Sequence, residues 1–400
     1  MKHSPVTAPP SEKNMDVSPK KLDPFDAVML VSYGGPNGPD DVLPFMRNAT
    51  KGAGIPDERL VEVSRHYEGF GGVSPINARN RELRASLGNE LSARGVDVPV
   101  VIGNRNWHPF IKDTLGKLYE QGHRNVLALF TSAYASYSGC RQYLENIEAA
   151  LCELNAEERI DALDPLKVTK VRAYANTLGF VQAYAESIGH SLKNMPAHTH
   201  VAMVTHSIPV AMNDGAGPNG ENLDYVRQHQ LVAAAVMRRV AATLGYEPSW
   251  DLSYCSRSGP PQARWLEPDI NDHLSTLAAG GVSSVLCVPI GFITDHMEVV
   301  YDLDTEAAQT AADLGIQYRR AATISNNPVF VDQLVQLLFE SAAINRGEHP
   351  VQAVQPGTFD ALAPICSEGC CTYFRTAVHV HSSNTGPRDL NHPHTQIKQI

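Results

Sequence analysis

Eight short apolar runs, separated by longer stretches with helical patterning, constrain this chain's fold more than any other feature. The runs are AVMLVSY (27–33), VPVVIG (98–103), NVLALFT (125–131), KVTKVRAY (167–174), HVAMVTH (200–206), WDLSYCS (250–256), VSSVLCVPI (282–290) and IQYRRAAT (316–323). They carry few interior charges, as strands covered on both faces should. Stretches with a helical apolar period lie between them, such as 221–245 and 295–315, and residues 327–345 read as a closing helix. Strand alternating with helix implies βαβ units and parallel pairing. The strands divide four and four. The predicted architecture is therefore α/β, with two Rossmann-like domains over 25–165 and 166–325, each a four-stranded parallel sheet flanked by helices. A closing helix follows over 326–346. Ligands in such folds bind beyond the carboxyl ends of the strands, and a cleft between two domains offers two such edges.

The two ends of the chain read differently. Residues 1–24 are polar and proline-bearing, without the apolar stretch of a signal peptide, and predict a disordered N-terminal tail. From 347 to 400 periodicity is lost again, in a C-terminal tail that holds a cysteine cluster. No apolar run approaches the length of a membrane span, so no integral membrane association is expected. Thirty-three Lys and Arg against 43 Asp and Glu give a net charge of −10, which argues against a nucleic-acid partner. These features predict a cytoplasmic protein whose seven cysteines are not committed to structural disulfides.

Three strand ends carry chemistry. The first run ends in Tyr33-Gly34-Gly35-Pro36, where glycines permit a tight turn and close backbone approach. This is not GxGxxG, and no nucleotide cofactor is expected. The fifth run ends in His206, placed where a strand leaves the sheet and able to accept a proton or ligate a metal. After the seventh run, Glu298, Asp302 and Glu306 recur at i, i+4 and i+8, on one face of a predicted helix. Such a ladder can handle a hard cation or pass protons outward. Each feature also has a plain structural reading: a simple turn, a satisfied loop histidine, a solvated acidic face. Asp295 reads equally as a helix N-cap.

Taken together, DAVMLVSYGGP (26–36), RHYEGFGGVSPIN (65–77), THSIP (205–209), SRSGPPQARWL (256–266) and IGFITDHMEVVYDLDTE (290–306) resemble the ferrochelatase family in order and spacing. GNRNW (103–107) and SAYASYSGCRQY (132–143) look like its actinobacterial branch. The resemblance implies a lyase that inserts Fe²⁺ into coproporphyrin III, giving coprohaem in haem biosynthesis, with a porphyrin cleft between the domains. It implies that His206 faces the macrocycle with Glu298 as its acidic partner, both candidate ligands for incoming Fe²⁺. Asp302 and Glu306 would relay protons or metal. Tyr33 would stand on the opposite face, Ser74 and Tyr143 would contact propionates, and Lys51 lies where relatives often carry a cation. Ser74 also reads as a turn or helix cap, and Tyr143 as core packing. His66 stands where some relatives place an arginine. The rival readings are a protoporphyrin ferrochelatase and a non-catalytic tetrapyrrole-binding or iron-sensing protein.

The cysteines divide by position. Cys255 and Cys287 lie inside strands and read as small buried hydrophobes. Cys152 lies on a helical stretch, Cys140 in the loop after the third run, and Cys366, Cys370 and Cys371 in the tail. One body cysteine plus three in the tail could hold a [2Fe–2S] cluster or zinc. The resemblance favours the cluster, on Cys140, Cys366, Cys370 and Cys371, with Cys152 as substitute. For adjacent Cys370 and Cys371 both to ligate, the backbone between them must contort. His379, His381, His392 and His394 read as tail rather than as a metal site.

Overall fold

A computed structural model describes residues 22–52, 54–218, 221–258, 263–367 and 369–373. Every apolar run carries a strand. β1 (Ala27–Ser32), β2 (Val100–Asn104), β3 (Asn125–Phe130) and β4 (Lys167–Lys170) form one parallel sheet in the order β2-β1-β3-β4. β5 (His200–His206), β6 (Trp250–Cys255), β7 (Ser284–Val288) and β8 (Gln317–Arg320) form a second, in the order β6-β5-β7-β8. The same wiring is thus used twice. In each sheet the strand order reverses beside the first strand, which opens a crevice at the carboxyl ends. β1 and β7 are buried along their whole lengths, which is why their sequences show no polar alternation.

Among the described residues twelve α-helices flank these strands: α1 (Pro39–Ala49), α2 (Asp57–Ser64), α3 (Ile76–Ala93), α4 (Ile111–Glu120), α5 (Gln142–Ala156), α6 (Leu178–Leu192), α7 (Val210–Asp214), α8 (Tyr225–Leu244), α9 (Ile270–Ala279), α10 (Met297–Tyr301), α11 (Ala307–Asp313) and, after the last strand, α12 (Pro328–Asn345). A π turn, Tyr137–Arg141, leads into α5, and a second, Asp302–Glu306, joins α10 to α11. Each half therefore has a π turn after its third strand. The stretch 295–315, expected to be one helix, is broken in two by that turn and begins only at Met297.

The predicted boundary at 165/166 also moves. β4 begins at Lys167 and pairs with β3, so the division falls after Lys170. The error has a simple source, because KVTK is polar and partly exposed and does not announce the first sheet's edge. The halves share one core rather than touching lightly. α6 packs on α8 and α12, and α12 also packs on α3 of the first half. Phe180, Tyr184, Leu334 and Leu338 are wholly buried in this core, each burial worth about 1.5–3 kcal/mol. Just beyond β4, Arg172 is 1 % exposed and pairs with Glu340 of α12 through two contacts, of 2.6 and 3.1 Å.

Leu22, assigned from sequence to the N-terminal tail, is buried beside Phe25. The segment after α12 has no helix or strand among the described residues, yet it is seated on the body. Gln355 N–H donates to the Asn176 carbonyl at 2.8 Å and Cys371 N–H to the Gly217 carbonyl at 3.2 Å. Residues 1–21 and 374–400, with the four late histidines, lie outside the described residues. No helix among the described residues is long and apolar enough to cross a membrane.

Candidate active site

The carboxyl end of β5 delivers His206. Its Nδ1 faces the Ser207 carbonyl, which can only accept, so the proton is on Nδ1 and the lone pair on Nε2. Burial holds this imidazole below its ordinary pKa, against the Ser207 carbonyl and Glu298, so it is a neutral acceptor at pH 7. Beneath it Thr205 Oγ1 lies 2.7 Å from the Tyr225 hydroxyl and 2.9 Å from His229 Nε2. Tyr134 stacks on His229 at 3.6 Å between ring centroids. Burial drives His229 down to about 3, so this support layer stays uncharged.

α10 supplies Glu298. Burial opposes its ionisation, but His296 and His206 outweigh that and lower it to about 2. His296 Nδ1 lies 2.6 Å from Glu298 Oε2, though off the line of an N–H bond. Asp302 behaves oppositely. Burial, with Glu298 and Glu306 adding like charge, raises it to about 7 despite a hydrogen bond from Ser256. Ser256 adopts a left-handed φ of 62° at the exit of β6, which brings its hydroxyl onto Asp302. Glu306 is exposed. The three carboxylates thus run from the His206 lip to solvent, as the spacing predicts, although a π turn rather than an α turn carries the last interval. Asp295 does not cap α10. It pairs with Arg320 Nη1 at 3.0 Å and accepts from Thr323 at 3.1 Å.

The first half faces this lip. Gly34 has φ +80° and a Cβ there would lie 2.9 Å from Asn104 Cβ; at Gly35 it would lie 2.7 Å from Ser74 Cβ. The two glycines are therefore required for different reasons, a left-handed turn and a close approach. The turn they make presents Tyr33, whose ring meets Phe45 edge-on at 6.1 Å. Phe45, Met46 and Tyr67 of the first half pack with Met297 of α10, with Tyr33, Trp107 and Tyr301 at the margin. Tyr67 is held far above its ordinary pKa by burial and then by Glu298, Tyr33 and Asp302, so groups from both halves act on one phenol. His66 stacks flat on Tyr301, 4.0 Å between centroids and 8° between planes, and so joins the halves without a salt bridge.

Ser74 and Tyr143 are both buried, 4 % and 5 % exposed. Ser74 packs against Gly35, and Tyr143 stacks on Phe130 at 5.1 Å, so in this structure both do packing work. Lys51 is exposed in the turn after α1. Arg105 and Ser256 were missed from sequence. The Arg105 guanidinium is half-buried, 4.6 Å from the Tyr143 ring centre and 5.7 Å from that of Tyr33. Both residues lie in quoted motifs, but nothing in those motifs shows that a cation folds back over Tyr33 or that a serine reaches Asp302.

The thiols form a second centre. Cys140, within the Tyr137–Arg141 π turn, interacts with Cys366 and Cys371, and Cys366 with Cys370. Cys370 Sγ is 3.7 Å from Cys371 Sγ. Cys371 has a left-handed φ of 53°, the contortion that its neighbour requires. Hydrogen bonds from Cys140 and Cys370, then Lys170, pull Cys366 strongly toward thiolate. Lys170 is 7 % exposed; burial opposes its charge, but Cys140 and Cys366 keep it protonated. Cys152 is exposed on α5, away from this set, while Cys255 and Cys287 are buried strand residues. Four converging thiols with a buried cation to offset thiolate charge fit a thiolate-held metal or cluster.

Two parallel α/β halves thus set an imidazole acceptor and a carboxylate ladder against an aromatic wall. The ferrochelatase family profile matches residues 25–342, and the chain belongs to that family of enzymes. It is 48 % identical to the coproporphyrin III ferrochelatase of Streptomyces griseus subsp. griseus over 358 residues, 87 % of this chain and 93 % of that one. It is also 48 % identical to that of Streptomyces coelicolor, with the same coverage. Among solved structures, SirB from Bacillus subtilis with Fe3+ aligns with TM-score 0.47 and 11 % identity over 82 % of this chain and 98 % of that chain.

Proposed function

We propose that this chain inserts Fe²⁺ into coproporphyrin III, giving iron coproporphyrin III (coprohaem) and releasing two pyrrole protons. The observation that carries the reading is the meeting of neutral His206, ionised Glu298 and an Asp302 that titrates near 7 beside the aromatic cluster of Tyr33, Phe45 and Tyr67. His206 Nε2 accepts a pyrrole proton or ligates iron, and Glu298 offers the incoming ion a hard oxygen. Asp302 takes the proton onward because it titrates near neutrality, and exposed Glu306 passes it to water. Tyr33 and Arg105 wall the opposite face. The propionates reach Lys51 at the rim, while Ser74 and Tyr143 hold Gly35 and Arg105 in place from behind.

Anaerobic incubation with Fe²⁺ and either coproporphyrin III or protoporphyrin IX tests the substrate. Faster metalation of protoporphyrin would sink the choice. A His206→Ala variant should still quench and bind the porphyrin but lose insertion by about a hundredfold or more. Porphyrin binding by the wild type without any insertion would favour the non-catalytic reading.

The thiol set supports a [2Fe–2S] cluster on Cys140, Cys366, Cys370 and Cys371, with the Lys170 cation beside it. The cytoplasm is the compartment that suits it, since ferrous iron and free thiols persist there. Iron and acid-labile sulfide should each approach about two per chain, fall on Cys366→Ser and stay unchanged on Cys152→Ser. Zinc in place of iron and sulfide would replace the cluster with a structural zinc.

A further inference from the structure

At the end of β5 opposite His206 lies a second group of metal-binding side chains that iron insertion leaves unused. His200 opens β5, Asp251 lies near the start of β6, and His273 projects from α9. One ligand atom from each lies within 4.8 Å of the others. His273 Nε2 is 2.7 Å and His200 Nε2 3.1 Å from the same atom, Asp251 Oδ1. A carboxylate only accepts, so His273 can donate its Nε2 proton there. His200 differs. Its Nδ1 is engaged with Ser249 Oγ at 2.9 Å. Its Nε2 is buried, out of line for a hydrogen bond to Asp251, and without another partner among the described residues. His200 is 7 % exposed, so this nitrogen has no water to turn to. An orphaned imidazole nitrogen facing a carboxylate oxygen is costly, and a cation between them would satisfy both. Asp251 is half-buried, which leaves an ion a route in from solvent.

We infer that His200, Asp251 and His273 form a divalent-cation site, separate from the catalytic cleft, that takes a zinc-class ion. Two imidazole nitrogens and one carboxylate oxygen are the donor set of a borderline cation, with water completing the coordination. On ligation His273 takes its other tautomer: the Nε2 proton is exchanged through solvent for one on Nδ1, which leaves the Nε2 lone pair for the metal. Six residues of extended strand separate His200 from His206, about 20 Å, so the ion acts on the second half's stability and not on the porphyrin. It ties the starts of two adjacent strands to α9.

The test is to dialyse the full chain against Zn²⁺, remove free metal and count zinc, beside His273→Gln and Asp251→Asn. His273→Gln keeps an N–H donor toward Asp251, which separates a lost ion from a lost fold. Thiols and the His206 lip are common to all three proteins and cancel in the difference. Each variant should hold about one zinc per chain fewer than wild type and should lack the wild type's zinc-dependent rise in Tm. Equal zinc counts in wild type and both variants would overturn the assignment, as would an equal Tm rise.

Discussion

At the scale of single residues, burial shifts the site's titrating groups in opposite senses, and pH experiments can read each one. Asp302, raised to about 7 chiefly by burial, gains its charge across the neutral range. In the proton-accepting role proposed for it, insertion should speed up from pH 6 to 8. Asp302→Asn should flatten that limb of the profile and slow insertion by about tenfold or more. His229, lowered to about 3 by burial, gives a stability effect of the other kind. Below about 6.5 the unfolded chain binds a proton that the folded chain refuses until about 3, so stability falls as pH falls through that window. The contribution is about 1.4 kcal/mol per pH unit. Denaturant titrations of His229→Gln should show a shallower loss between pH 6 and 4 than wild type; parallel slopes would refute the assignment. His206 and Glu298 were legible from sequence because a strand end and a spaced ladder constrain where side chains can go. Ser256 and Arg105 were not, since their contacts depend on one left-handed backbone angle and on a guanidinium folding across 72 residues of chain, from Arg105 to Tyr33.

At the scale of elements, inner strands such as β1 and β7 were legible because strands covered on both faces must be apolar throughout, whereas the polar, partly exposed edge strands β4 and β8 owed their place to the alternation of strand and helix around them. The long helices α8 and α12 were legible from their period. The two π turns were not. An extra residue in one turn changes the hydrogen-bond ladder from i+4 to i+5 while leaving the apolar pattern on either side intact. That insertion matters at 302–306, where it swells the helix between Asp302 and Glu306. Deleting Thr305 should restore a regular α turn and carry Asp302 out of reach of Ser256. Far-UV circular dichroism should be unchanged, while iron insertion falls by at least tenfold. An active deletion variant would show that the widened turn is incidental.

At the scale of the molecule, α12 fastens the halves together and the Arg172–Glu340 pair is its buried rivet. Glu340→Ala would strand a guanidinium that is 1 % exposed and should cost about 3–5 kcal/mol in denaturant unfolding. Replacing both partners by apolar residues of similar size should cost far less. The repeated strand order has a further consequence. After its third strand each half carries a π turn, and the two turns have been given opposite chemistries. One bears the Cys140 thiol, whose partners are soft sulfurs; the other bears Asp302, whose neighbours are hard oxygens. Soft thiolates suit zinc and iron–sulfur clusters, and carboxylates suit hard cations. On the proposed function, a single architectural theme would serve two ends: the thiol turn would hold an ion that stays, and the carboxylate turn would hand on what passes.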